Sequence, residues 1–149
     1  PLLGGDAALR ELLDASHALG VRVVLDGVFN HTSRGHPWFS HLVENGAASP
    51  YASWYRGVSA FPLNAYDRSA PPNYSCWWGH RDLPELDTTN PGVRAHLLGA
   101  VRHWLDFGAD GWRVDAPDAL HEADPTFLPA ALAAAREGGP GRGRARRHA

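Results

Sequence analysis

Asp110-Gly111-Trp112-Arg113-Val114-Asp115 is the stretch that decides the fold. Trp and Val favour a pleated surface, and Gly108 closes a helix just before it, so the hexapeptide reads as a strand. Side chains alternate along a strand. Arg113 and Asp115 therefore share one face, and Trp112 and Val114 share the other. A guanidinium two residues before a carboxylate favours its ionised form, as a carboxylate nucleophile requires. Read alone, the same residues also fit a structural Arg–Asp pair.

The flanking sequence supplies the context. Asn90-Pro91 gives an N-cap followed by proline at the first helical position. Val93, Leu97, Val101, Trp104 and Leu105 then share one helical face as far as Gly108. Near the start, Asp6 is expected to cap a helix whose stripe is Leu9, Leu12, Leu13 and Leu19, ended by Gly20. Val21 to Asp26 follows as an expected buried strand. Helix, glycine and strand recur in the same order, which predicts an α/β fold with parallel strands. Functional residues in such folds gather after the carboxyl ends of strands. Asp26 ends the first strand, Asn30 and His31 follow it, and Asp115 ends the second.

Between about Asn30 and Asn90 no period is sustained, and Pro and Gly recur. A structureless loop of that length is improbable inside a compact domain, so a small irregular subdomain is expected. Ten of the fifteen aromatic residues fall between Trp38 and Trp78, which suggests that it has its own core. After Pro129 the apolar period fades into Ala, Gly, Pro and Arg. Asp124-Pro125 is a candidate start for another helix through Phe127, Leu128, Leu132 and a run of Ala, whereas residues 129–149 are expected as an aberrant tail, low-complexity and disordered from Gly138.

Composition excludes several classes. The net charge is -2, and all fourteen basic residues are Arg. No folded basic face points to nucleic acid, and no apolar run is long enough to span a membrane. Cys76 is the single cysteine, so there is no internal disulfide. The nine histidines are scattered without ligand spacing, and no transition-metal site is expected. Trp54, Tyr55, Tyr74, Trp77 and Trp78 have faces that would stack on sugar rings, although core packing is the commoner fate of such residues.

Two stretches together carry a family resemblance: Asp26-Gly27-Val28-Phe29-Asn30-His31 and Gly111-Trp112-Arg113-Val114-Asp115. They resemble the signatures of the α-amylase family of glycoside hydrolases, built on a (β/α)8 barrel. Leu83-Pro84-Glu85-Leu86-Asp87 corresponds to a looser third signature. The phrasing is most similar to the neopullulanase, cyclomaltodextrinase and maltogenic amylase branch. The resemblance divides the chain into a barrel segment at 1–29 (helix 2, strand 3), an inserted domain B-like segment at 30–90 and a second barrel segment at 91–128 (helix 3, strand 4 and the connection beyond).

The resemblance implies roles. Asp115 matches the catalytic nucleophile and Arg113 the arginine that orients it. His31 matches a histidine that binds the sugar at the cleavage position. Asp26 matches a rim carboxylate on the substrate side that supports the arginine. Asn30 matches a calcium-ligating position in many members; no cofactor is required, and calcium is the one metal implied. The implied partner is an α-1,4-glucan such as starch, maltodextrin or cyclodextrin. Dimers occur in the resembled branch. The compartment is left open by the sequence, with the branch favouring the cytoplasm.

One departure is decisive. The general acid should be a Glu one helix beyond Asp115, and the acids near there are Glu122, Asp124 and Glu137. None follows a strand of its own. Retaining hydrolysis needs that acid. The chain is therefore expected to be a fragment, inactive alone, whose ending reads as a frameshift, early stop or partial gene. The alternative expectation is a non-catalytic carbohydrate-binding remnant or an unstable product. Either way, the strands should expose Val, Leu and Trp on surfaces that a full barrel would cover.

Overall fold

The computed structural model describes residues 3–139. In chain order the elements are α1 (Gly5–Ala18), β1 (Val24–Gly27), α2 (Pro37–Asn45), α3 (Pro91–Phe107), β2 (Gly111–Val114), α4 (Pro117–Ala123) and α5 (Phe127–Glu137), with short 3-10 turns at Gly46–Ala48 and Trp77–Gly79. The chain divides into two compact units. Among the described residues the first draws on 3–27, 96–114 and 129–139, the second on Val28–Ala95 and Asp115–Leu128.

In the first unit β1 and β2 form a two-stranded parallel sheet. Asp26 is the register partner of Arg113, and Leu25 of Trp112. The first strand starts later than its apolar run predicts. The Val21 N–H is taken by Ser16 O at 2.9 Å and the Val23 N–H by Asp110 Oδ2 at 2.7 Å, so neither joins the ladder. Asp110 also accepts from His17 Nε2 at 2.8 Å. Its carboxyl lies below the usual range through the Val23 backbone bond first and His17 second. The strand is not buried as expected: Val24 is 55% exposed. A sheet of two strands has an open edge on each, and the exposure expected of the strands is seen at Val24 and at Val21 just ahead of β1, whereas Trp112 is half-buried.

Helix α1 also departs from its reading. Gly4, in a left-handed conformation, is the N-cap, and Asp6 instead sits in the first turn, where its charge suits the helix dipole. Of the expected stripe only Leu13 is fully buried. Helix α3 follows its reading. Asn90 Oδ1 accepts from the N–H groups of Gly92 (2.9 Å) and Val93 (3.3 Å). Val93, Leu97, Val101 and Leu105 are buried. Gly108, at φ 125°, ends the helix where an added Cβ would stand 3.0 Å from Arg10 Nη1. Trp112 lies against the helix, donating from Nε1 to Val101 O at 3.3 Å.

The second unit has its own aromatic core. Phe39 and Leu42 of α2 are fully buried, and the Phe39 ring packs edge-on to Tyr55 and Tyr74 at 5.0 Å each. Helix α2 lies in the stretch read as irregular: His36 Nδ1 caps it by accepting from Trp38 N, and Pro37 opens it. Tyr55 and Tyr74, singled out as sugar-stacking candidates, are core residues, and burial pushes both hydroxyls up to about 12. Burial likewise pushes the Cys76 thiol up to about 11.

The tail reading needs correction. Helix α5 runs through Glu137, past 129 where the tail is expected to begin. Ala131 and Ala134 are buried, so alanine supplies the packed face that larger residues supply elsewhere. Residues 140–149 lie outside the described residues.

Candidate active site

Asn30 and His31 follow β1, and the loose third signature folds back beside them in the second unit. Leu86 N donates to Asn30 O at 2.9 Å, and His31 and Glu85 form an isolated antiparallel bridge. Thr32 N donates to Pro84 O at 3.1 Å, extending the same pairing. Two signatures more than fifty residues apart in sequence thus become backbone neighbours.

His31 is 7% exposed and stacks on Trp77, with ring centroids 5.1 Å apart and planes at 24°. Burial lowers its pKa from the ordinary 6.5, against the opposing charges of Asp115 and Glu85. The ring is therefore neutral at pH 7. Asn30, 2% exposed, turns Nδ2 toward His31 Nδ1 at 3.4 Å. An amide N–H only donates, so Nδ1 accepts and the ring proton sits on Nε2. A neutral imidazole with an N–H to offer is a hydrogen-bond donor for an uncharged polar ligand.

Asp115 directly follows β2, and its neighbour Ala116 takes a left-handed conformation (φ 46°) as the N-cap of α4. The turn ends the strand right after the carboxylate. Asp115 is half-buried and acts on His31 through its charge, so these two signature residues share one electrostatic environment.

In the first unit Arg113 Nη1 donates to Asp26 Oδ1 at 2.9 Å. Both side chains are 61% exposed. Asp26 thus holds the arginine across adjacent strands.

The acids beyond Asp115 have other occupations. Asp124 is buried and paired to Arg94 Nη1 at 2.7 Å. Glu137 pairs with Arg102 at 3.2 Å, and Glu122 is exposed on α4. Calcium takes about six to eight oxygen ligands. The Asn30 carbonyl is already engaged by Leu86, and its amide faces His31. Among the described residues no group of three or more His, Cys, Asp or Glu is gathered to hold a metal ion. A calcium ion here would be held by the Asn30 side-chain oxygen together with main-chain carbonyls of this unit, and not by a carboxylate cluster.

In the sequence Glu85 is one residue of a loose signature and Trp77 one of five clustered aromatics. Their place against His31 depends on a long loop folding back, for which the sequence gives no local signal.

The profile described as "Alpha amylase, catalytic domain" matches residues 1–131. The chain belongs to the α-amylase family. It is 37% identical over 116 residues to a cyclomaltodextrinase from Bacillus sp, covering 77% of this chain and 20% of that protein. It is 36% identical over 124 residues to a maltogenic alpha-amylase from Bacillus acidopullulyticus, covering 83% and 20%. Among solved structures, Ttha1563 from Thermus thermophilus superposes with a TM-score of 0.86 at 51% identity, covering 94% of this chain and 28% of that one. The fold is that of a partial (β/α)8 barrel within an α-amylase catalytic domain. The chain spans about a fifth of the length of these amylase-family relatives. Among the described residues no helix is long and apolar enough to cross a membrane.

Proposed function

We propose that this chain carries the nucleophile half of a retaining glycoside hydrolase site for α-1,4-glucans such as maltodextrin, starch or cyclodextrin. The observation that carries the reading is the order of the chain, which sets His31 and Asp115 just beyond two register-paired parallel strands, with the Asp115 charge reaching the His31 ring. Each follows the carboxyl end of one of two parallel strands.

In this reading His31 donates from Nε2 to a hydroxyl of the sugar at the cleavage position. An Asp115 carboxylate oxygen attacks the anomeric carbon. The glycosidic C–O bond breaks, and its electron pair leaves with the departing oxygen, which must be protonated by a general acid. Water then attacks the anomeric carbon of the glycosyl-enzyme, releasing Asp115 and giving net retention. Arg113, held by Asp26, orients the nucleophile. A sugar hydroxyl in place of water makes the same intermediate a transglycosylation. Calcium at Asn30, dimerisation of the parent enzyme and a cytoplasmic setting rest on the family resemblance. A chelator that leaves thermal stability unchanged would remove the calcium proposal.

The acid is not among these residues, so the chain alone should not cleave starch. A fluoride leaving group needs no protonation. The protein should therefore release fluoride from α-maltosyl fluoride, and azide should speed turnover and give α-maltosyl azide with retained configuration. No release above buffer from a protein shown by circular dichroism to be helical would favour the non-catalytic binding reading.

A further inference from the structure

We propose that Trp78 is an aromatic platform that carries a second pyranose ring of the glucan, adjacent to the ring bound at His31. This rests on the reading of His31 given above and extends it to chain recognition. Trp78 is 79% exposed, an unusual position for the largest apolar side chain. Its backbone is left-handed (φ 50°, ψ 29°), a conformation that costs free energy for a bulky residue. The bend is fixed rather than loose. Trp77 N donates to Leu83 O at 3.0 Å, Gly79 N to Cys76 O at 3.1 Å, and Leu83 N to His80 O at 2.8 Å. The fold thus holds an indole out in solvent by a strained turn that is tied down on both sides.

What the turn presents is continuous with the candidate site. His31 stacks on Trp77, and the Trp77 and Trp78 rings stand 5.8 Å apart at 34°. The three rings form a run from the buried imidazole to the exposed indole. A pyranose presents an axial C–H face, which packs on an aromatic plane. Each glucose unit of a glucan offers such a face, so the neighbour of a sugar bound at His31 would find its platform on Trp78. The Trp77 indole N–H, buried without a hydrogen-bond partner, is a further local cost in the same turn.

The test is titration of maltoheptaose into the protein by calorimetry, with Trp78→Ala and Trp78→Phe beside it. Trp78→Ala should weaken binding about tenfold or more, and Trp78→Phe should recover most of it. Equal affinity in all three overturns the platform. If Trp78→Ala loses its helical signal, the parent decides: its Trp78 indole N–H resonance, assigned by its loss in Trp78→Phe, should shift on adding maltoheptaose. A static Trp78 signal while others move overturns the proposal. Fluoride release from α-maltosyl fluoride separates the two readings. Release with no Trp78 response sinks the platform alone, whereas a Trp78 response without release sinks the nucleophile assignment alone.

Discussion

Arg113 donates from Nη1 to Asp26 Oδ1 at 2.9 Å, and the two residues are register partners in the parallel sheet. Register thus does part of the positioning, because strand pairing brings the two side chains together before either charge acts. With both side chains 61% exposed, water screens the pair. Asp26→Ala should therefore cost no more than about 1 kcal/mol of unfolding free energy. Urea denaturation of parent and variant measures this, and a loss of several kcal/mol would show that the pair is structural rather than a holder of Arg113.

The Arg94–Asp124 pair should behave differently. Asp124 is 5% exposed and Arg94 27%. Burial would raise the Asp124 pKa, but hydrogen bonds from Thr126 and the Arg94 charge outweigh it and lower the value from 3.8. Arg94→Ala leaves a buried carboxylate with Thr126 and no cation, and should cost about 3 kcal/mol. The Asp124 contribution is present above 3.8 and is lost as pH falls through the lowered value. An Arg94→Ala penalty no larger than that of Asp26→Ala would contradict this ranking.

His31 sets a second pH window. Its folded pKa is below the ordinary 6.5, so between the two values the unfolded chain binds more protons than the folded one. Stability from this group is complete above about 6.5 and declines as pH falls below it. Urea midpoints from pH 5 to 8 should fall on the acid side in the parent, and that component should vanish in His31→Gln. Equal pH slopes in the two proteins would remove His31 as the cause.

Much of this was legible in the sequence because the decisive residues are local. Asn90-Pro91, the buried face of α3 and the alternation around Arg113 each depend on a few neighbours. Misreadings arise where a distant group wins. Val21 and Val23 look like strand, but Ser16 and Asp110 take their N–H groups. Asp6 looks like a cap, but Gly4 turns the chain first. Helix α2 hides because only Phe39 and Leu42 face the core. The helix expected after Asp124-Pro125 forms, but it continues past the tail boundary set at 129 because alanine forms its packed face. The candidate site divides in the same way. His31 and Asp115 stand out in their signatures, whereas Trp77 and Glu85 reach His31 only through a return of the chain some fifty residues later.

The central claim is that Asp115 is the nucleophile. The most direct measurement is incubation with 5-fluoro-α-D-glucopyranosyl fluoride, whose fluoride leaves without acid assistance and whose ring fluorine slows breakdown of the adduct. Peptide mass spectrometry should then find one fluoroglucosyl group on the peptide containing Asp115, absent in Asp115→Asn. Labelling of Glu85 or Asp26 with Asp115 unmodified, or equal labelling of the Asn variant, would contradict the account.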